Sequence, residues 1–194
     1  MSGNDDLDLV DSIVMKTASV VGGVRPEQAQ LATPCAEYDV RALVDHIVGY
    51  AQVFASAANG ETFDGDPAEY TAADFGAAGH TFRTAADAIV SGWREGGVDR
   101  TVHITGGEVP AQMALDMTMI EYLTHGWDLA VATGQPVPYT EQEAGEVLAR
   151  AEKSLTPQYR GPGKPFGPVI DVPADAPAIH RMIAFMGRHP APTG

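Results

Sequence analysis

A carboxylate and an imidazole on one long apolar stretch constrain the fold more than any other feature of this sequence. Residues 113–133 repeat apolar side chains with the helical period, and Glu121 and His125 lie four positions apart within them. Residues at i and i+4 share one face of a helix, about 6 Å apart along its axis. Both groups therefore lie at or beside the core-facing surface, where an unpaired carboxylate is costly. A counter-charge, a hydrogen-bond network or a metal ion must compensate them.

Amphipathic spacing along the rest of the chain predicts an all-α fold. Helices are expected over about 7–21, 40–58, 75–93, 113–133 and 141–155, with a short one within 179–190. Residues 100–110 differ, because strand-forming residues are broken there by Gly106 and Gly107, which indicates a short strand-like crossover. Four long helices with such a crossover are typical of a helical bundle. We expect one domain over 1–194, with the Pro- and Gly-rich tail 157–194 packed on the bundle.

A third polar residue lies on the second predicted helix. His46 is at the edge of that helix's apolar face, and facing helices of a bundle can build a metal site in the core. Together with Glu121 and His125 it would give two imidazoles and one carboxylate, the ligand count of a catalytic zinc-type site. The alternative is a set of hydrogen-bonded core residues.

The core-facing stripe of residues 113–133 is predicted to comprise Met113, Met117, Ile120, Leu123, Trp127 and Val131.

Charge and composition exclude several classes of function. A net charge of −14 counts against nucleic acid, whose affinity for proteins comes mostly from Lys and Arg. No apolar run approaches the roughly 18 residues that span a bilayer, and the N-terminus has no signal-peptide pattern. A single cysteine, Cys35, excludes an intramolecular disulfide and fits a reducing compartment. We therefore expect a cytoplasmic protein with no nucleic-acid or membrane partner.

Three blocks of the sequence resemble a known family. TPCAEYDVRALVDHIVGYAQVFA, at 33–55, is similar to the signature TPCxxWxVxxLxxHxxG of the DinB/YfiT-like metalloenzymes, in the branch grouped with mycothiol-dependent maleylpyruvate isomerase. Tyr38 stands where that signature has Trp. EYLTHGWDLAVATGQ, at 121–135, matches the branch's ExxxHGWDLAxATG, and residues 166–190 look like its closing FGxxVxVPxDAPxxxRLxAFxGRxP.

The resemblance implies a four-helix bundle of up-down-down-up order that binds one divalent metal ion. The ligands of this branch are a His of the second helix and the Glu and His of the ExxxH block, which correspond to His46, Glu121 and His125. Such a ligand set accepts several metals, of which we expect zinc first and nickel second. The branch also uses a low-molecular-weight thiol, mycothiol, as cosubstrate, and a metal ion favours its nucleophilic thiolate form.

Two functions follow as hypotheses. The first is a metal-dependent thiol S-transferase or isomerase that acts on a small molecule and possesses the family's metal-binding domain only. The isomerase has an additional C-terminal domain for which we expect no counterpart here, so maleylpyruvate itself is a doubtful substrate. The alternative is a non-catalytic, stress-related module that binds a metal or a small molecule. A homodimer is compatible with both.

Three further residues, Asp128, His80 and Arg83, have more than one interpretation, and Cys35 has one. Asp128 lies three positions after His125 and could orient that imidazole, or bond to a neighbouring helix instead. His80 and Arg83 lie one turn apart on the third helix, where an arginine would suit a carboxylate-bearing substrate, unless both form an edge pair with acidic neighbours. Cys35 has no adjacent His in the sequence and is interpreted as a small packed residue.

Overall fold

The computed structural model describes residues 3–161 and 166–190. In chain order the elements are α1 (Gly3–Gly22), α2 (Val40–Ala58), α3 (Phe75–Gly96), β1 (Thr101–Ile104), β2 (Gly107–Pro110), α4 (Ala111–Thr133), α5 (Glu141–Ser154) and α6 (Ala178–Phe185). Short 3-10 turns lie at Pro26–Gln28, Pro67–Glu69 and Pro157–Tyr159. The all-α prediction is confirmed. The strand-like crossover is an antiparallel hairpin of β1 and β2.

Single residues fix the start of α2 and the end of α4. Oδ1 of Asp39 accepts a hydrogen bond from the backbone amide of Ala42 at 2.8 Å, so α2 begins at Val40, as its N-cap predicts. Gly134 ends α4 with a φ of 67°, a left-handed conformation that glycine adopts without strain. One end of each helix that carries candidate ligands is therefore set by a local sequence signal.

Contacts near the helix ends give the directions of three bundle helices. Nη2 of Arg94, near the end of α3, lies 2.7 Å from Oδ2 of Asp11 in the first half of α1, so these helices are antiparallel. Nε2 of Gln112, at the start of α4, donates to Oδ2 of Asp6 near the start of α1 at 3.2 Å. Helices α1 and α4 are therefore parallel.

Helices α2 and α3 run in the same direction. Oδ1 of Asp45, in the first half of α2, accepts a hydrogen bond from the amide of Ala72, just before α3. Asn59, which follows α2, donates to the carbonyl of Ala88 in the second half of α3 at 3.2 Å. The connection 59–74 must therefore return along the length of the bundle. The helix order is up-down-down-up, as the resemblance implies.

The core of the bundle forms where α3 and α4 each pack against both α1 and α2. Burying one large apolar side chain stabilises the fold by about 1.5–3 kcal/mol. The hydroxyl of Thr17 on α1 reaches the carbonyl of Tyr122 on α4 at 3.1 Å, so this buried hydroxyl is paired across the interface. The large side chains buried here include Val10, Ile13, Val14, Leu43, Ile47, Phe82, Ile89, Trp93, Leu115, Met119 and Leu123.

Helix α4 is buried on most of its sides, and the predicted core-facing stripe is therefore only partly correct. Ile120, Leu123 and Trp127 are buried as expected, but Met113 and Val131 are 39% and 36% exposed, so the stripe is wrong at its ends. A helix that is apolar on most sides has no single stripe, and periodicity could not show which residues face outward. The core instead takes Leu115, Met119, Tyr122 and Leu129.

Helix α2 passes very close to the Pro67–Glu69 turn at Gly49. A Cβ atom on Gly49 would lie 2.2 Å from the carbonyl oxygen of Pro67, a distance that no side chain can accommodate. Glycine therefore allows the backbone of the turn to lie directly on the helix. This contact fixes the end of the 59–67 segment beside Tyr50, one turn from His46.

The chain divides into two compact units, one reaching Val137 and the other beginning at Pro138. The first contains α1 to α4 and the hairpin. In the second, α5 packs against α6, and Thr140 and Glu143 form a capping box at the start of α5. A single domain over 1–194 with the tail 157–194 on the bundle stays a prediction, and residues 162–165 and 191–194 of that tail lie outside the described residues. None of the described helices combines the length and apolarity needed to cross a membrane.

Candidate metal centre

Three potential metal ligands meet where α2 faces α4. Nε2 of His46 lies 2.8 Å from Oε1 of Glu121, and Nε2 of His125 lies 3.7 Å from the same oxygen. One ligand atom from each residue lies within 4.8 Å of the other two. The structure thus brings together the three residues that the sequence singles out, here called the trio.

The trio lies just below the surface of the first unit. The side chains of His46, Glu121 and His125 are 18%, 23% and 11% exposed. The two imidazole rings are 4.9 Å apart between centroids, with an angle of 72° between their planes. The three side chains are therefore partly accessible to solvent, while the surrounding protein covers most of their surface.

Asp128 lies against the imidazole of His125. Its Oδ2 lies 3.1 Å from Nδ1 of His125, and the carboxylate is fully buried. A buried carboxylate holds a proton on the ring nitrogen that faces it, and the other nitrogen, Nε2, then presents its lone pair to the trio. Asp128 therefore contacts the imidazole of His125, and its role behind a metal ligand stays a prediction.

Two tyrosines enclose the imidazole of His46. The Tyr38 hydroxyl lies 3.2 Å from Nδ1 of His46, and the rings of Tyr38 and Tyr50 lie 4.9 and 4.7 Å from the His46 ring. Burial, and then the negative charges around it, raises the pKa of Tyr38 to about 12. Its phenol is therefore protonated at neutral pH and can donate or accept a hydrogen bond. Two features of the sequence could have indicated these neighbours of His46. Tyr38 occupies the position where the first block of the family has Trp, and Tyr50 lies four residues after His46 on the same helix.

Cys35 lies closer to the trio than its sequence neighbours indicate. Its Sγ, a ring nitrogen of His125 and a carboxylate oxygen of Asp128 all lie within 4.8 Å of one another. The connector folds back because the hydroxyl of Thr33 donates to the carbonyls of Cys35 and Tyr38 at 2.9 and 2.8 Å. Neighbours along the chain could not reveal the contact of Cys35 with His125 and Asp128. The available signal was that Cys35 lies in the same family block as His46.

His80 and Arg83 lie on another side of the bundle. His80 is exposed on α3, and Nη1 of Arg83 contacts Sδ of Met15 on α1 at 3.5 Å. The trio instead lies between α2 and α4. The structure does not bring these two residues to the trio, and their role in substrate binding stays a prediction.

Comparison with protein families identifies the first unit. The model of the family described as mycothiol maleylpyruvate isomerase N-terminal domain matches residues 10–130, a range that includes His46, Glu121 and His125. The chain belongs to this family. Family membership confirms the branch that the three sequence blocks resemble.

This family member is similar to proteins of Mycobacterium tuberculosis. Two uncharacterized proteins from two strains of Mycobacterium tuberculosis are each 36% identical to it over 172 residues, which is 88% of this chain and 91% of theirs.

A solved structure shares the fold of this family member. The crystal structure of a histidine-to-alanine mutant of the mycothiol-dependent maleylpyruvate isomerase matches with a TM-score of 0.64 and 16% identity. The match covers 82% of this chain and 71% of that one. At this identity the likeness shows the fold, and it agrees with the DinB-like helical bundle expected from the sequence.

Proposed function

We propose that this family member is a mononuclear divalent-metal enzyme that uses a low-molecular-weight thiol to transfer or isomerise a small molecule. The convergence of the ligand atoms of His46, Glu121 and His125 within 4.8 Å is the observation that carries the proposal. The family supports the thiol, since its description names mycothiol maleylpyruvate isomerase. The single cysteine fits a reducing compartment, so we assign the protein to the cytoplasm, where such thiols stay reduced.

The donor set fits one divalent metal ion. Two imidazole nitrogens and one carboxylate oxygen are the protein ligands of a catalytic site in which a further position takes water or substrate. We expect zinc first and nickel second, because both accept mixed nitrogen and oxygen ligands. The contact of Asp128 with Nδ1 of His125, at 3.1 Å, supports binding through Nε2. The Tyr38 oxygen can accept the Nδ1 proton of His46 in the same way.

The chemistry follows from the thiol and from the residues around the trio. A divalent metal bound there would lower the pKa of a thiol and so favour the thiolate. Thiolate addition to a conjugated double bond converts it to a single bond that can rotate, and elimination then restores both the double bond and the thiol. Tyr38 and Tyr50 would limit water around His46, and the neutral phenol of Tyr38 would supply a proton donor.

Cobalt substitution tests the thiol part of the proposal. The full-length protein is loaded with Co²⁺ and titrated with N-acetylcysteine, and we expect a thiolate-to-cobalt absorption band in the near ultraviolet that saturates at about one thiol per metal, because the open position takes the sulfur. N-acetylserine, which has a hydroxyl in place of the thiol, is the matched control and should give no band. Bound cobalt without a thiolate band would contradict the proposal. Ligand binding without conversion of any conjugated electrophile would favour the non-catalytic module.

Replacing Asp128 by Asn should weaken zinc binding by about 10–100-fold, the usual effect of losing a charged partner behind a ligand imidazole. The amide retains the shape of the carboxylate and removes the charge that holds the Nδ1 proton of His125. Competition with a chromophoric chelator measures the affinity. Asp87→Asn, at an exposed position on α3, is the matched control. Equal affinity in the two variants would mean that Asp128 has a structural role only.

A further inference from the structure

Two arginines of the second unit have a buried nitrogen atom that lacks a hydrogen-bond partner. The atoms are Nη2 of Arg160 and Nε of Arg181. Within the described parts of the chain, neither guanidinium forms a salt bridge with a carboxylate. A buried donor without a partner costs about 1–3 kcal/mol, and a charged one costs more. Two such atoms in one small unit therefore need a physical explanation.

A shortage of carboxylates does not explain these two arginines. The chain has 26 Asp and Glu residues against 12 Lys and Arg residues. In the first unit, the guanidinium groups of Arg25, Arg41 and Arg94 lie 2.7, 2.9 and 2.7 Å from a carboxylate oxygen. Arg160 and Arg181 depart from this pattern. Such a departure is expected where an arginine binds an anion that is not part of the chain.

The surrounding residues hold the guanidinium of Arg160 in one place. Its Cζ lies 4.2 Å from the centre of the Phe185 ring and 5.9 Å from the centre of the Phe166 ring. The faces of aromatic rings attract a cation. Nη1 of Arg160 donates to the carbonyl of Gly167 at 3.2 Å. These contacts fix the plane of the guanidinium and leave Nη2 as the donor for another group.

Helix α6 places Arg181 on the same side as Phe185. The two residues are four positions apart, so they share one face of the helix. Side chains of a helix lean toward its N-terminus, and the ring of Phe185 therefore leans toward the turn that carries Arg181. Arg160 lies against that same ring. Both arginines are half-buried, so this basic pair lies at the surface of the second unit rather than in its core.

We propose that Arg160 and Arg181 form a binding site for a small oxyanion, a carboxylate or a phosphate group. Nη2 of Arg160 and Nε of Arg181 donate hydrogen bonds to its oxygens, and Phe185 supports the guanidinium of Arg160. The planar, permanently charged guanidinium matches both kinds of oxyanion. This site does not depend on the proposed function, because both arginines belong to the second unit and the trio belongs to the first.

Heteronuclear NMR of the full-length protein follows the Nε–H signals of these arginines directly. Inorganic phosphate and sodium acetate are titrated separately, with sodium chloride of equal ionic strength as the control. We expect the signals of Arg160 and Arg181 to shift and saturate with a millimolar dissociation constant for at least one oxyanion, and not for chloride. The exposed Arg25, which already pairs with Glu27, should show no saturation. Tighter binding of phosphate would identify a phosphate site, and tighter binding of acetate a carboxylate site. If neither oxyanion gives a saturable shift, the proposal is wrong.

Two variants locate the bound oxyanion. Arg181→Gln removes one charge and is measured through the signal of Arg160, whereas Arg160→Lys retains the charge without the planar fork and is measured through Arg181. Each should weaken binding at least about tenfold, because each loses a charge-assisted hydrogen bond. Arg25→Gln is the matched control and should bind as the parent does, and circular dichroism confirms that all three variants are folded. Parent-like affinity in both Arg160→Lys and Arg181→Gln would overturn the proposal.

Discussion

Replacing His46 and His125 together by Ala should abolish the binding of one equivalent of divalent metal while leaving the helical bundle folded. The change removes two of three protein ligands, and Glu121 alone cannot hold the ion at a specific site. Both side chains are partly exposed, so their loss leaves the apolar core of the bundle intact. Elemental analysis of protein purified without chelator measures the metal, and circular dichroism measures the helix content.

The control for this experiment removes the same number of histidines elsewhere. His180→Ala combined with His189→Ala changes two histidines of the second unit and should retain about one equivalent of zinc, because neither residue belongs to the trio. Retention of metal by the His46 and His125 variant would refute the proposed centre. If the parent protein takes up neither zinc nor nickel, the 2.8 Å contact between His46 and Glu121 is a polar pair that needs no metal.

Replacing Gly49 by Ala should lower the free energy of unfolding by about 1–3 kcal/mol, the usual cost of forcing atoms into a packed site. Helix propensity alone predicts the opposite change, because alanine is a better helix former than glycine by about 1 kcal/mol. The added Cβ would lie 2.2 Å from the backbone oxygen of Pro67, which cannot move as a side chain can. Chemical denaturation followed by circular dichroism measures the change.

Gly22→Ala is the matched control for this prediction. Gly22 ends α1 in the same unit, and a Cβ there would meet no atom within 4 Å. Without a clash, alanine should stabilise the protein by about 0.4–1 kcal/mol through the entropy of the unfolded chain. If Gly49→Ala also stabilises the protein, the Pro67–Glu69 turn can move away from α2. The contact at Gly49 then does not fix the end of the 59–67 segment beside Tyr50.

The trio could be predicted because its signals are local. Glu121 and His125 are one helical turn apart, so their shared face follows from the period of the helix. The start of α2 at Asp39 and the end of α4 at Gly134 were equally local signals. His46 lies on a different helix, so its position beside the other two residues could not be predicted from helical spacing. That prediction depended on the expected bundle and on the resemblance of two sequence blocks to the family.

Features that depend on contacts between distant segments could not be predicted in this way. The fold of the connector determines the position of Cys35 beside Asp128, and no periodic pattern describes that connector. The exposure of Met113 and Val131 depends on which sides of an apolar helix find neighbours. The directions of the helices came from the resemblance, since amphipathic spacing is the same for a helix that runs up or down.

The parallel pairing of α1 with α4 imposes an order on the folding of a chain that emerges from the ribosome. Thr17 meets Tyr122, and Gln28 donates to the carbonyl of Thr133 at 2.8 Å, each across 105 positions of sequence. Contacts of such long range form late, because the intervening chain must first be made. Until α4 is synthesised, α1 to α3 lack a wall of their core and His46 has neither Glu121 nor His125 beside it. Metal uptake by the proposed centre must therefore wait until α4 has been synthesised, and a nascent chain truncated before α4 should be handled by the cell as an unfolded protein.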